Sequence, residues 1–260
     1  MNRFPRWAWL PFGIGVLLLV SPLLGMLTRI SWTRLPELLT TPGARDALRL
    51  SLVTCSLATV LVVVIGTPIA LVLARSRAWW TSVVRTLVTV PMVLPPVVAG
   101  LALLVTFGRR GLIGTSLALL GVEIGFTTLA VVIAQTFVSL PFLVISLEGA
   151  LRSTSGRHER VAANLGATPN RVFWRITLPL LSPALASGVA LSFARALGEF
   201  GATLTFAGSL QGVSRTLPLE IYLLRESDPE IALALSLVLI AVAVLIVLLS
   251  TRLRTWGNHD

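Results

Sequence analysis

The chain has 260 residues, is 55% hydrophobic and only 12% charged, and has a net charge of +10 with mean hydropathy +0.89. Soluble domains are about one quarter charged, so apolar blocks of this extent exclude an ordinary water-soluble fold and indicate an integral membrane protein. All 21 basic residues are arginine but form no basic stripe with interleaved aromatics, and the lone Cys55 and the distant His158 and His259 are too few for a disulfide or a metal cluster; neither nucleic acid nor metal is an expected partner.

Six blocks are long enough to cross a bilayer, which takes roughly 20 helical residues. They are 7–28, 50–74, 86–107, 126–147, 183–207 and 231–250. A chain in lipid must satisfy its own backbone, so each block is predicted to be a helix. The expected fold class is an all-α integral membrane protein with six transmembrane helices in a single domain, 1–260. The first block follows Arg3 and Arg6 as a signal peptide would. It is too long for one and shows no small-residue cleavage site after Ser21-Pro22, so it is read as a span.

Prolines punctuate the next three spans: Pro68 in the second, Pro91, Pro95 and Pro96 in the third, Pro141 in the fourth. Each removes a helix hydrogen bond and favours a kink. Two readings stay open for the run VLPPVVAG (93–100): ordinary kinked packing, or a helix broken at Pro95 and Pro96 beside a solute path.

A polar island, 148–182, separates the fourth and fifth spans. Helical periodicity runs through Val161, Ala162 and Leu165, and again through Val172, Phe173 and Ile176. Gly166 can take the left-handed conformation that ends a helix. Thr168 can cap the next, with Pro169 at its first position. Pro179 and Pro183 are expected to stop that second helix before the fifth span begins. The island thus reads as two short helices projecting from the membrane to dock a partner; an amphipathic helix lying on the bilayer surface is the alternative.

Within the fifth span, SFARALGEFGAT (192–203) places Arg195 and Glu199 four residues apart, on one face of a helix. A charge at membrane depth costs roughly 3 kcal/mol and marks a functional candidate. Either the two neutralise each other or bond neighbouring helices, or Arg195 lines an anion path while Glu199 moderates its affinity. Gly198 and Gly201 are expected to let another helix approach closely.

Orientation follows from arginine counts. Twelve fall on the side of the two termini and the island, eight on the other, and Arg195 lies within a span. The bias places both termini and the island in the cytoplasm.

From Gly166 to Ile176-Thr177-Leu178-Pro179, the island resembles the cytoplasmic loop of permease subunits in binding-protein-dependent ABC importers. That pattern is an acidic-Ala-Ala start, a glycine, nine residues, then Ile-x-Leu-Pro. Its start here is imperfect, because Arg160 and Val161 separate Glu159 from Ala162 and Ala163. The resemblance implies that Glu159, Ala162, Ala163, Gly166, Ile176, Leu178 and Pro179 form the loop that seats in an ATPase subunit. VLPPVVAG, FGRRGLIG (107–114), ARALGEFGAT (194–203) and SRTLPLEIY (214–222) together look like the molybdate-type permease family.

The resemblance implies a multi-pass protein of the bacterial inner membrane that pairs with a second copy of itself around a central path. An ABC ATPase homodimer would lie below and an extracytoplasmic oxyanion-binding protein above, delivering molybdate or tungstate. Arg195, Glu199, Gly198, Gly201, Pro95 and Pro96 are then the path or gate candidates. Arg109 and Arg110 are solvated flanking charge, a contact for the binding protein, or an attractor for the anion. The chain has no lysine and hence no Walker-type GxxxxGK[ST]. No cofactor is expected on it, ATP and Mg belonging to the ATPase, and no catalytic constellation is expected either. The alternatives are a sulfate or thiosulfate permease and a secondary transporter acting alone; the latter would need coupling carboxylates at depth or an inverted repeat.

Overall fold

A computed structural model describes residues 5–154 and 156–256. Arg3, His259 and Asp260, and the side chains of Arg6, Arg157, Arg252 and Arg254, lie outside that set. The described chain is all-helical. In order come α1 (Trp9–Leu27), α2 (Leu35–Leu39), α3 (Pro42–Arg75), α4 (Trp80–Val93), α5 (Pro96–Phe107), α6 (Gly114–Leu119) and α7 (Thr128–Ser153). After these follow α8 (Arg157–Asn164), α9 (Pro169–Val172), a π turn (Phe173–Thr177), α10 (Leu178–Leu197), α11 (Gly201–Ala207), α12 (Leu217–Ser227) and α13 (Pro229–Trp256).

Five helical stretches are long and apolar enough to cross a membrane: α1, α3, α7, Pro169–Leu197 and Pro229–Ser250. A sixth crossing requires α4 and α5 together, and that pair turns by 118°. Of the two readings of 93–100, the structure shows the helix broken at Pro95 and Pro96, with the first half beginning at Trp80 rather than at residue 86. Leu94 precedes a proline and is pushed into extended backbone (φ −63°, ψ 134°), Pro95 follows in the same region, and Pro96 then opens α5 at its first turn. Pro68 and Pro141, by contrast, sit inside helices that continue past them.

The central helix is α7, which packs against α3, α10, α11 and α4. At one end of the bundle, Val62, Leu73, Leu143, Val144, Leu147 and Leu181 form a core from α3, α7 and α10. At the other, Ala99, Leu103, Ala130, Val131, Ala134 and Phe206 join α5, α7 and α11. Lipid tails are as apolar as leucine, so close packing and interhelical hydrogen bonds must hold such helices together. Ser192 donates to the Ser139 carbonyl at 3.1 Å and Ser146 to that of Ala184 at 3.0 Å, stitching α10 to α7 at two depths. None of the α1 side chains that are described is buried against the rest of the chain.

Two further sequence boundaries shift. The second span starts at Pro42 rather than residue 50, because α3 carries a polar first two turns (Arg45, Asp46, Arg49) that hydropathy does not register. These turns pack against α12, where the Leu217 N–H donates to Ser51 Oγ at 2.7 Å. The island also shrinks. Residues 148–153 complete α7, and the second island helix runs through the π turn into α10 without stopping at Pro179 or Pro183. In the π turn the Leu178 N–H reaches back five residues to the Phe173 carbonyl. Pro179 and Pro183 both lie within helical backbone that continues past them.

Candidate functional site

Two regions gather the residues singled out in the sequence: the exposed loop between α7 and α10, and the break between α10 and α11.

In the loop, α8 and α9 meet at Gly166, whose φ of +83° is the left-handed conformation that glycine adopts without strain. Thr168 caps α9, accepting the Arg171 N–H at 3.4 Å. Around this turn Ala163, Leu165, Gly166 and Pro179 are exposed, Leu165 by 82%, while Ala162, Ile176 and Leu178 are half-buried. Ala162, Leu165, Gly166, Arg171 and Ile176 line a shallow groove of about 260 Å³. An exposed leucine beside an open groove on a helical hairpin is the form of a docking surface.

Glu159 does not join that surface. The resemblance implied that it belongs to the loop that seats in an ATPase subunit. Instead its Oε1 accepts from Arg75 Nη2 at 2.7 Å and from Thr177 Oγ1 at 2.5 Å. Arg75 ends α3 and Thr177 ends the π turn, so Glu159 faces its own bundle. A second acid-centred cluster lies nearby. Glu148 Oε1 accepts from Arg85 Nε at 3.0 Å and Nη2 at 2.8 Å, and pairs with Arg152 Nη2 at 2.9 Å. Arg152 also donates to the Leu73 carbonyl at 3.2 Å, which ties the ends of α3, α4 and α7 together. Sequence reading missed both clusters, since Arg75, Arg85 and Glu148 are far apart along the chain and only folding brings them together.

At the second region, Arg195 and Glu199 do pair, Nη1 to Oε2 at 2.7 Å. Their geometry differs from the continuous helix expected over 183–207. The helix ends at Leu197 and Gly198 follows it, so Glu199 stands in the break before α11. Its other oxygen, Oε1, accepts the Ala202 N–H at 2.8 Å, supplying a partner that a helix start leaves without one. Glu199 is 1% exposed and Arg195 29%. One carboxylate thereby compensates the arginine and fastens the first turn of α11.

Gly201, rather than Gly198, makes the close helix approach. A Cβ on Gly201 would stand 2.6 Å from Pro96 Cβ, whereas one on Gly198 would meet only its own helix at 3.7 Å. Gly100, which the sequence reading passed over, completes the crossing, because a Cβ there would come within 2.7 Å of the Ala202 carbonyl oxygen and Thr205 Cβ. The Pro95-Pro96 break and the Arg195–Glu199 break are thus packed on each other. The helix packed against both α5 and α11, α7, stays continuous.

Arg109 and Arg110 are exposed after α5, and Arg109 pairs with Glu123 at 3.2 Å. The two sit at the end of the bundle opposite the α8–α9 loop. At that end Arg34–Glu230, Arg215–Glu220 and Arg225–Glu226 also pair. Among the described residues no three His, Cys, Asp or Glu side chains stand close enough to share a metal.

Comparison with known proteins bears on this arrangement. Residues 66–257 match the family model described as binding-protein-dependent transport system inner membrane component. The molybdenum transport system permease protein ModB of Mycobacterium tuberculosis is 58% identical over 228 residues, 88% of this chain and 86% of that one. The sulfate transport system permease protein CysT of Escherichia coli is 36% identical over 214 residues, 82% of this chain and 77% of its own. Among solved structures, a chain of a bacterial alginate ABC transporter in complex with its alginate pentasaccharide-bound periplasmic protein superposes with a TM-score of 0.72 at 20% identity. That match covers 94% of this chain and 91% of the other.

Proposed function

Because the chain belongs to the family of binding-protein-dependent transport system inner membrane components, we propose that it is the permease subunit of an ATP-driven importer of molybdate or tungstate. The observation that carries the substrate is the 58% identity over 88% of the chain to a molybdenum permease, against 36% to a sulfate permease. The charged break at Arg195 and Glu199, packed on the Pro95-Pro96 break where Gly201 meets Pro96, gives the substrate class a physical rationale. A path for a tetrahedral dianion must attract it and let it go. Arg195, already held by Glu199, offers positive charge without a tight grip.

In this reading Ala162, Ala163, Gly166, Ile176, Leu178 and Pro179 face an ATPase subunit in the cytoplasm. ATP and Mg are held there and not on this chain. A second copy of the chain completes the path, and an extracytoplasmic binding protein delivers the oxyanion to the end that carries Arg109 and Arg110. Sulfate is the second reading, favoured by the 36% identity to the sulfate permease.

Tracer uptake by cells expressing the complete system separates the two. Labelled molybdate should enter in an energy-dependent manner, with equimolar tungstate competing and a large excess of sulfate leaving uptake intact. Sulfate competing as well as tungstate would overturn the molybdate assignment.

A further inference from the structure

We propose that Glu159, held by Arg75 and Thr177, is the joint that passes movement of α8 to the membrane helices α3 and α10. The inference rests on the importer reading above and adds a residue role to it.

Three observations converge. First, α8 is an eight-residue helix bracketed by two glycines with positive φ, Gly156 at +61° and Gly166 at +83°. Glycines of this kind at both ends allow a short rigid element to swing. Second, α8 packs mainly against α9 and the π turn. Arg75, Leu151, Thr154, Glu159, Leu180 and Leu181 line a cavity of about 180 Å³ beneath it. Across that cavity Glu159 reaches the last residue of α3 and, through Thr177, the residue that immediately precedes α10. Third, the ends of α3, α4 and α7 are already fixed to one another by Glu148, Arg85 and Arg152, with Glu148 only 9% exposed. A displacement of α8 therefore acts on a braced platform, and Glu159 is the charged link between the two.

The link is not a major source of stability. The Arg75 side chain is 51% exposed and that of Glu159 is 25% exposed, so water screens the pair, and its loss should shift folding by less than about fivefold. Its role would show in coupling.

The test uses the whole complex, with ATPase and binding protein, in proteoliposomes, measuring molybdate uptake and ATP hydrolysis in the same vesicles. Arg75→Gln lies off the docking surface, so the ATPase should still copurify and hydrolysis should continue. Molybdate moved per ATP should fall between about twofold and thirtyfold, the span over which side chains between coupled sites alter coupling. The exchanged pair Arg75→Glu with Glu159→Arg should recover part of that ratio, which a merely structural tether would not require. An unchanged ratio in Arg75→Gln, or no recovery in an assembled exchange variant, overturns the proposal. If Arg75→Gln does not assemble, Thr177→Val leaves the ion pair and removes one arm; an unchanged ratio there overturns it equally. Wild-type vesicles that hydrolyse ATP yet import no molybdate would instead overturn the importer reading, before any variant is compared.

Discussion

Glu199 has two jobs at one buried position, and they make opposite demands on a replacement. Its Oε2 neutralises Arg195 and its Oε1 holds the Ala202 N–H. Glu199→Ala leaves both a charge and a backbone donor unpaired, a loss of about 3–5 kcal/mol for a broken buried pair. Glu199→Gln keeps an acceptor for Ala202 but no charge for Arg195, so it should cost less, about 1–3 kcal/mol. Replacing both, as Arg195→Met with Glu199→Gln, removes the stranded charge and should recover part of the loss. Thermal unfolding in detergent gives the order: wild type, then the double variant, then Gln, then Ala. An Ala variant as stable as wild type would mean that the pair holds neither the break nor the arginine.

Elements show why some of this was legible in the sequence and some was not. Apolar length gave five crossings and the bent α4–α5 pair, since nothing but a helix satisfies a backbone in lipid. Pro95-Pro96 and Gly166 announced breaks because each dictates local backbone geometry by itself. What a linear reading could not see was how breaks end. The π turn carries the chain past Pro179, and Glu199 stops helical by capping the next helix, both set by tertiary packing rather than by propensity. The Glu159–Arg75 pair was invisible for the same reason, the two residues being 84 positions apart. The α8–α9 turn yields a prediction at this scale. Nothing lies within 4 Å of where a Gly166 Cβ would be, so bulk does not clash within the chain, yet φ is +83°. A left-handed residue other than glycine costs about 1–2 kcal/mol, and asparagine is the type that tolerates it. Gly166→Asn should therefore bind the ATPase nearly as wild type, while Gly166→Leu, of similar size, should bind about tenfold more weakly. Equal loss in both, measured by ATPase copurification, would show that a partner's surface and not backbone strain restricts the site.

At the level of the whole molecule, the ends of the bundle differ in how their charge is used. Opposite the α8–α9 loop, eight arginines meet seven acids, and Arg34, Arg109, Arg215 and Arg225 are each paired. Among the residues whose side chains are described, the end with the loop has Arg75, Arg77, Arg85, Arg152, Arg160, Arg171 and Arg175 against Glu148 and Glu159, and its exposed Trp79, Trp80 and Trp174 suit a membrane interface. Insertion is governed by arginine near the ends of spans, whatever acids accompany it, so the loop end should remain in the cytoplasm. Cys55 is fully buried, which makes the native chain a quiet background for thiol labelling. A membrane-impermeant maleimide applied to intact spheroplasts should label Gln211→Cys, whose position is exposed at the far end. It should label Asn170→Cys only after permeabilisation. Reversed labelling would place α8 and α9 outside the cell, where no ATPase could reach them. The importer reading and the coupling role of Glu159 would then fail together, while the packing of α5 on α11 would stand unchanged.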